Sequence, residues 1–309
     1  MKLIIQIPCL NEAETLPITL TDLPTAVAGF DTVEWLIVDD GSTDDTAAVA
    51  RAHGVHHVVR HTRNQGLAKA FMNGLRAATD LGADVIVNTD ADNQYCADDI
   101  PKLVAPILAG HADIVVGARP IATIEHFSPA KKFLQKLGSW VVRVVSRTDI
   151  PDAPSGFRAM SREAAKRLMV FNDYTYTLET IIQAGQRNMA IVSVPIRVNG
   201  DLRPSRLVKS IPGYIRRSIG TMIRIFVIYR PFRFFGTIGL TLLALGTLIG
   251  LRFMVFWLQG DSGGHVQSLI LAAILLGAGF NTILIAFIAD LLAANRKLLE
   301  DIRMLATDK

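Results

Sequence analysis

The residues in this chain whose types and spacing best suit chemistry are two carboxylates separated by one residue. Asp90 and Asp92 follow the apolar, β-branched run at residues 85–87, after Asn88 and Thr89. If the chain leaves a sheet there, both carboxylates and the nearby Gln94 lie at the strand's C-terminal edge, where open α/β sheets bind ligands. Such oxygen ligands suit Mg²⁺ or Mn²⁺. The alternative is an ordinary turn in which the acidic side chains only cap a helix.

A second predicted strand also ends in acidic residues. Residues 35–38 are apolar and lead into Asp39 and Asp40, after which Gly41 permits a tight turn. One carboxylate is enough to cap the next helix, so Asp39 remains as an acceptor for a nucleobase N–H or a ribose hydroxyl. The first apolar run likewise leads to polar residues soon after Pro8. Three strands therefore bring polar groups to one edge.

Six sequence blocks resemble the family 2 glycosyltransferases, which have a GT-A catalytic fold. Within that family the chain is most similar to the polyprenyl-phosphate hexosyltransferases, such as dolichol-phosphate mannose synthases and bacterial undecaprenyl-phosphate glycosyltransferases. The resemblance extends from about Leu3 to Arg206 and continues into the apolar C-terminal region. The blocks are Pro8 with Asn11 and Glu12, the VDDGSTDDT segment at 38–46, Arg63 to Gly66 with Ala68 and Ala70, Asp90 to Asp92, Gly117 to Arg119, and Asp152 through Ser155 to Arg158.

The resemblance implies a role for each group of residues at this edge. The nucleotide sugar would contact Pro8, Asn11, Glu12, Asp39, Asp40, Asn64, Gly66, Asp90 and Ala91. A Mg²⁺ or Mn²⁺ ion on the donor diphosphate would be held by Asp90, Asp92 and Gln94. The chemistry agrees, because an ion on the diphosphate stabilises the charge that builds on the leaving group. Asp92, Arg119 and Arg203 would be the catalytic residues.

The acceptor implied by the resemblance is a lipid phosphate. It is already an anion, so basic residues that position it matter more than a general base. The candidates for acceptor and phosphate contacts are Lys132, with Lys131 as its alternative, Asp152, Ser155, Arg158, Ser205 and Arg206. Residues 199–206 resemble the family's basic loop, and Arg206 replaces its usual Lys while keeping a phosphate-binding group. Pro204 replaces a more flexible residue.

Asn93 departs from the family's common pattern, which has a Leu before the Gln. Two roles are open to it. It is expected to cap the helix that begins near Asp98, and the alternative is that it reshapes the sugar pocket.

The C-terminal part of the chain is predicted to be membrane-bound. Half of the 309 residues are hydrophobic, and the runs at 234–258, broken only by Arg252, and at 266–289 each exceed the roughly 20 residues that a spanning helix needs. Arginines in residues 211–231 alternate with apolar residues at helical spacing, as in helices that lie on a membrane surface. Basic residues flank the two spans, whereas the ionisable residues of their connection are only Asp261 and a histidine. The positive-inside rule then predicts cytoplasmic termini and a cytoplasmic catalytic domain at the plasma membrane.

The predicted organisation is an α/β domain with a mostly parallel sheet, followed by membrane helices. The segments are a GT-A catalytic domain at 1–210, juxtamembrane amphipathic helices at 211–231, transmembrane helices at 232–258 and 266–291, and a cytoplasmic tail at 292–309. Strands are expected near 3–7, 34–39, 56–60, 84–89, 113–117 and 190–198. Helices are expected near 13–28, 45–53, 67–81, 98–109, 131–145, 162–169 and 177–186.

The function favoured by the sequence is inverting, metal-dependent transfer of one hexose from a UDP- or GDP-sugar to a polyprenyl phosphate, of undecaprenyl or dolichyl type. A processive polysaccharide synthase should carry a Gln-x-x-Arg-Trp motif, and no tryptophan here follows an arginine. A tethered transferase with a glycolipid or polysaccharide acceptor remains an alternative, as does a non-catalytic membrane scaffold. The net charge of +4 does not indicate a nucleic-acid partner. A homo-oligomer is left open.

Overall fold

The computed structural model describes residues 1–120, 129–170, 176–200, 211–260 and 266–307. The chain forms two compact units, Met1–Ile215 and Arg216–Lys309. The strands of the first unit are β1 (Lys2–Cys9), β2 (Thr32–Asp39), β3 (His57–Arg60), β4 (Val85–Asn88), β5 (Ile114–Ala118), β6 (Arg158–Ser161) and β7 (Ile191–Pro195). Its helices are α1 (Leu16–Asp22), α2 (Thr46–Ala52), α3 (Leu67–Asp80), α4 (Ile100–Leu108) after a 3₁₀ turn (Ala97–Asp99), α5 (Pro129–Ser146), α6 (Arg162–Arg167) and α7 (Thr177–Gln186).

The seven strands form one sheet in the order β3-β2-β1-β4-β6-β5-β7. All neighbours are parallel except β6, which runs antiparallel to both β4 and β5. The central strands β1 and β4 are buried along nearly their whole length, as expected for strands covered by helices on both faces. The prediction of an α/β fold with a mostly parallel sheet is confirmed.

The strand register determines which strand ends lie beside each other in the sheet. Cys9 at the end of β1 pairs with Asp39 at the end of β2, and Asn88 at the end of β4 pairs with Gln6. Because β6 is antiparallel, its first residue, Arg158, pairs with Asn88. The C-terminal ends of β1, β2 and β4 and the N-terminal end of β6 therefore meet at one edge.

Two elements differ from their predictions. Helix α1 covers Leu16–Asp22 rather than 13–28, because a residue before proline disfavours helical backbone and Leu23, before Pro24, is extended with ψ of 137°. Strand β6 was not predicted. Its sequence, Arg-Ala-Met-Ser, has no β-branched or aromatic residue that would indicate a strand.

The described part of the second unit is helical. It contains most of α8 (Ile211–Tyr229), then α9 (Pro231–Leu258) and α10 (Val266–Thr307). Helices α9 and α10 are both long and apolar enough to span a membrane, and only 11% and 17% of their most apolar stretches are buried within the protein. Such exposure is unlike the core helix of a water-soluble domain. The two helices therefore indicate membrane anchoring.

Helices α9 and α10 approach closely at three glycines. A methyl group at Gly239 would lie 2.7 Å from Ile283 Cγ1, one at Gly246 would lie 2.9 Å from Leu276 Cγ, and one at Gly279 would lie 2.9 Å from the Gly239 oxygen. Small residues at such positions let membrane helices approach closely.

Candidate active site

The Asp90 carboxylate lies at the meeting point of the central strands. A methyl group at Gly156 would lie 3.0 Å from Asp90 Oδ1, so the Gly156 backbone packs against the carboxylate. The buried Tyr95 hydroxyl hydrogen-bonds to Asp90 and accepts the Gly156 N–H at 2.9 Å. Burial, and then repulsion from Asp92, raise the pKa of Asp90 to about 7. The protein thus holds two carboxylates so close together that their negative charges repel each other.

This arrangement fits a divalent cation, because a cation removes the repulsion that raises the pKa of Asp90. Within the described residues, the His, Cys, Asp and Glu side chains form no cluster of three or more that could hold a metal ion. The predicted donor set of Asp90, Asp92 and the Gln94 amide oxygen contains only two of these side chains, and it stays a prediction. A set this small leaves coordination positions for phosphate oxygens, as Mg²⁺ sites usually do.

A buried polar network supports the carboxylate site from beneath. Asn88 has no exposed surface. Its Oδ1 accepts a hydrogen bond from Gln6 Nε2 at 2.9 Å, and its Nδ2 donates to the Gly156 oxygen at 2.8 Å and to the Tyr176 hydroxyl at 2.9 Å. The Tyr176 ring stacks on Phe71 with 3.8 Å between ring centroids. This network fixes the backbone of Gly156, and through it the space available to Asp90.

Arg119 and Asp152, predicted separately, form one ion pair. Arg119 Nε lies 2.7 Å from Asp152 Oδ2, and its Nη2 lies 3.0 Å from Oδ1. The Arg119 backbone N–H also donates to Oδ2 at 3.1 Å. Because the Asp152 side chain is 1% exposed and that of Arg119 11%, the pair is well shielded from water. Asp152 therefore orients Arg119, whose catalytic role stays a prediction.

Arg158 has a different environment from the one that a phosphate contact requires. Its side chain has no exposed surface. Its Nε donates to the Ser155 oxygen at 2.8 Å, its Nη2 to the Ala153 oxygen at 2.7 Å, and its Nη1 to the Thr180 hydroxyl. Burial lowers the pKa of the Arg158 guanidinium to about 10. This geometry indicates that Arg158 holds the 152–156 loop in place. It does not favour the predicted contact between Arg158 and the acceptor phosphate.

Ser155 lies in the same loop and is fully buried. Its hydroxyl has no hydrogen-bond partner among the described residues. Its predicted contact with the acceptor therefore requires that the loop open, and it stays a prediction.

The second acidic strand end organises a loop. Asp40 accepts the backbone N–H groups of Gln65 and Gly66, both at 2.8 Å, and His61 Nδ1 lies 2.7 Å from its Oδ1. Asn64 Oδ1 also accepts the Gly66 N–H, at 2.9 Å. Asp40 thus acts on the predicted nucleotide pocket by shaping the Asn64–Gly66 loop.

Gly41 allows this loop to approach the strand end. Its φ is +76°, and a Cβ there would lie 2.5 Å from the carbonyl carbon of Arg63. Only glycine fits both conditions.

Asp39 is buried at the end of β2, and one of its carboxylate oxygens has an ion-pair partner but no hydrogen-bond donor among the described residues. Its Oδ1 accepts the Ser42 N–H at 2.8 Å. Its Oδ2 lies 3.1 Å from Arg60 Nε as an ion pair, but accepts no hydrogen bond from the described residues. An acceptor with spare capacity is consistent with the predicted nucleotide contact, although the carboxylate has no exposed surface. The assignment stays a prediction.

The remaining predicted nucleotide residues lie at the same edge. Asn11 has a φ of 55°, and its Oδ1 accepts the Thr43 N–H at 2.8 Å. The Glu12 carboxylate accepts the Thr15 hydroxyl at 2.6 Å. Pro8 is buried in β1, and Ala91 is 5% exposed. The structure therefore brings the ends of β1, β2 and β4 together, as the sequence predicted.

Asn93 does not cap a helix, so that prediction is wrong. It has a left-handed backbone with φ of 55°, which Asn tolerates better than most residues. Its Nδ2 donates to Asp22 Oδ2 at 2.7 Å, at the end of α1. The N-cap position of α4 is Asp99.

The segment after Asp92 is tied to the segment that enters the predicted basic loop. The Asn199 N–H donates to the Gln94 oxygen at 2.9 Å, and Tyr95 and Val198 form an antiparallel bridge. Arg197 anchors the same segment through Asp99, with its Nη2 2.9 Å from Oδ1. Arg203, Ser205 and Arg206 lie outside the described residues, as does the side chain of Lys132. Their roles stay predictions.

The fold and the acidic strand ends define a class of enzyme, the GT-A glycosyltransferases. The family model described as glycosyl transferase family 2 matches residues 4–169. The chain belongs to this family, and the protein is a glycosyltransferase.

Comparisons with curated proteins give relatives that this chain matches over most of their length. An undecaprenyl-phosphate mannosyltransferase from Micrococcus luteus is 29% identical over 224 residues, which cover 69% of this chain and 90% of the relative. A UDP-N-acetylglucosamine–dolichyl-phosphate N-acetylglucosaminyltransferase from Methanococcus voltae is 30% identical and covers 62% of this chain and 83% of the relative.

Among solved structures, glucosyl-3-phosphoglycerate synthase from Mycobacterium tuberculosis, in complex with Mn²⁺, UDP and glucosyl-3-phosphoglycerate, aligns with a TM-score of 0.58. The two chains are 23% identical, and the alignment covers 72% of this chain and 79% of the other. At this identity the likeness establishes the fold alone.

Proposed function

We propose that this glycosyltransferase moves one hexose from a UDP- or GDP-sugar to a polyprenyl phosphate and inverts the anomeric centre. The observation that carries the proposal is the Asp90–Asp92 pair at a GT-A sheet edge, in a chain that also has two helices able to span a membrane. A transferase with a water-soluble acceptor has no need of such helices. The relatives named for undecaprenyl and dolichyl phosphate acceptors support the same acceptor class.

The proposed reaction needs no general base. An oxygen of the acceptor phosphate attacks the anomeric carbon while the bond from that carbon to the diphosphate oxygen breaks, and the electron pair leaves on the nucleoside diphosphate. The nucleophile is already ionised, so the protein must chiefly position it. A Mg²⁺ or Mn²⁺ ion held by Asp90, Asp92 and Gln94 would stabilise the charge on the departing diphosphate.

The protein's own residues carry the remaining tasks. Asp40 shapes the Asn64–Gly66 loop at the nucleotide end of the site. Asp152 holds Arg119 in one orientation, so a guanidinium is in place before the substrates arrive. Such preorganised charge stabilises a transition state without further rearrangement.

The proposed membrane arrangement follows from charge. The flanks of the spans carry Arg230 just before α9, Arg233 in the first turn of α9, and Arg296 and Lys297 within α10. The positive-inside rule then orients the catalytic unit toward the cytoplasm, where nucleotide sugars are made. Helix α8 exposes Ile219 and Ile223 beside exposed arginines, a composition that suits the membrane surface where a lipid phosphate is held.

The function can be tested with membranes that contain the full chain. The membranes are incubated separately with radiolabelled UDP- and GDP-linked hexoses. We expect label from one donor to enter a solvent-extractable lipid from which mild acid releases the sugar. Membranes containing an Asp92→Asn variant are the matched control. Label found only in polymer or in a water-soluble product would contradict the proposed acceptor.

Replacing Gly156 with alanine should weaken metal binding. The new methyl group would lie 3.0 Å from both Asp90 Oδ1 and the Tyr176 hydroxyl, and the Asn88 network holds Tyr176 in place. The carboxylate must therefore shift. We expect about 10- to 100-fold weaker Mn²⁺ binding, the usual scale for changes just outside a metal's ligands, measured by electron paramagnetic resonance on the purified protein. Gly277→Ala is the control, because a methyl group there meets nothing within 4 Å, and equal Mn²⁺ affinity in both variants would count against Asp90 as a ligand.

A further inference from the structure

Helix α5 presents an apolar, aromatic face to solvent. Phe133 is 65% exposed, Trp140 51% and Val144 38%. Their spacing of seven and four residues puts them on one side of a helix. Within the described part of the unit Met1–Ile215, no other Phe or Trp is exposed. We call Phe133, Lys136, Trp140 and Val144 the Trp140 face.

The opposite side of α5 is firmly packed. Val141, Val142 and Val145 are at most 4% exposed. Ser139 Oγ accepts the Ala153 N–H at 3.2 Å, next to Asp152, the partner of Arg119. The exposure of the Trp140 face is therefore a property of a helix that is fixed to the domain, and not of a detached segment.

The charge of α5 indicates what could cover this face. The helix contains Lys131, Lys132, Lys136 and Arg143 and no acidic residue. Lys136 is exposed within the Trp140 face itself. Arg143 lies 3.6 Å from the exposed Asp149 carboxylate, which partly compensates the charge of Arg143. Lys136 does not take part in this ion pair. Basic residues among tryptophan and phenylalanine are typical of helices that lie at the interface of an anionic bilayer.

We propose that the Trp140 face docks on the anionic surface of the lipid bilayer. The chain has two helices able to hold it at a membrane, so a bilayer is always within reach of the domain. A second copy of the chain is a poorer occupant, because two Trp140 faces would bring two sets of lysines together.

Docking would also place the loop that carries Asp152 and Gly156 close to the headgroups, because Ser139 binds that loop from the inner side of the same helix. This consequence rests on the proposed lipid acceptor, whereas the docking itself does not.

The three tryptophans of the chain allow a direct test. Trp35 is in the core, where its Nε1 donates to the Pro24 oxygen at 3.2 Å, and it is kept in every variant to avoid disturbing the fold. Trp257 is 60% exposed near the end of α9. In the variant Trp257→Phe, the fluorescence comes from Trp140 and from the Trp35 background. In Trp140→Phe it comes from Trp257 and Trp35, and in the double variant it comes from Trp35 alone.

Each full-length variant is reconstituted into anionic bilayers whose acyl chains carry bromine near the carbonyl end. We expect bromolipid to quench the fluorescence of Trp257→Phe and Trp140→Phe and to leave the double variant nearly unchanged. If Trp257→Phe is quenched no more than the double variant, the proposal is overturned. If the emission of Trp140 is shifted to the blue but is not quenched, the Trp140 face contacts protein instead of lipid. This result would also overturn the proposal.

The charge contribution has its own test. In the Trp257→Phe background, Lys136→Glu should reduce quenching more in anionic than in zwitterionic bilayers. The control is Arg76→Glu, which reverses an exposed charge on α3, and it should leave quenching unchanged. Equal effects of the two reversals would remove the role of Lys136. Because the readout is independent of sugar transfer, it stands even if the proposed acceptor is incorrect.

Discussion

Replacing Asp92 with asparagine should abolish sugar transfer, although the protein should remain folded and membrane-inserted. Asparagine keeps the size of the side chain but removes one of the two negative charges that fit a divalent cation. Without this charge the site would hold the metal ion poorly, and the negative charge that develops on the leaving diphosphate would then lack the cation that stabilises it. Removal of one preorganised electrostatic contact typically costs about 10²- to 10³-fold in turnover, and loss of the metal itself should cost more. Turnover is measured with the radiolabelled donor, and folding by circular dichroism.

The matched control for this variant is Asp98→Asn. Asp98 lies six residues further along, is 79% exposed, and has its carboxylate 3.6 Å from Arg197 Nη2. It should retain nearly full activity, because no substrate or metal contact is assigned to it. Chelation of divalent ions should silence the unmodified protein to the same extent as Asp92→Asn. Full activity in the presence of a strong chelator would exclude the metal mechanism.

Replacing Arg203 with alanine should lower turnover by about 10²- to 10³-fold, again the scale of a lost electrostatic stabiliser. Arg203 is proposed to contact donor and acceptor phosphates together. Asn199, which hydrogen-bonds to the Gln94 oxygen, precedes it by four residues, and a chain of that length spans at most about 14 Å. The length of this chain segment is compatible with the proposed contact, which stays a prediction.

The variant should separate binding from catalysis. Metal-dependent binding of the nucleoside diphosphate, measured by calorimetry, should change much less than turnover, because Asp39, Asp90 and Asp92 remain. Arg51→Ala, at an exposed position on α2, is the control. A loss of nucleotide affinity as large as the loss of turnover would instead make Arg203 a donor-binding residue.

The sequence predicted the fold because its signals are local. Each parallel strand is a short apolar run that stops at polar residues, as at Val38–Asp39 and Asn88–Asp90, and the carboxyl ends of parallel strands share one edge. The position of Asp39, Asp40 and Asp90 follows from that pattern alone. Strand β6 lacks this signal, because its four residues include no β-branched or aromatic residue. It forms instead by pairing with β4 and β5, which are distant in sequence.

The support beneath the site could not be predicted from the sequence for a related reason. Gln6 and Asn88 are single polar residues within apolar strands, and their hydrogen bond joins positions 82 residues apart. Arg158 is predicted to contact phosphate because it is a basic residue in a block that resembles the family, yet its guanidinium donates to the Ala153 and Ser155 carbonyls. Periodicity reports which face of an element is buried, but it does not report which polar atoms meet there.

The hydrogen bond between Asn199 and Gln94 has a thermodynamic consequence for the order of events. Gln94 is a predicted ligand of the metal ion on the donor, and Asn199 leads directly into the segment that carries Arg203. A ligand that restricts Gln94 therefore also restricts the segment that begins at Asn199. This segment then loses less conformational entropy when it contacts the acceptor. By linkage, the acceptor must then raise the affinity for the donor by the same factor. The two substrates are expected to bind with positive cooperativity through the backbone contacts that join these two segments.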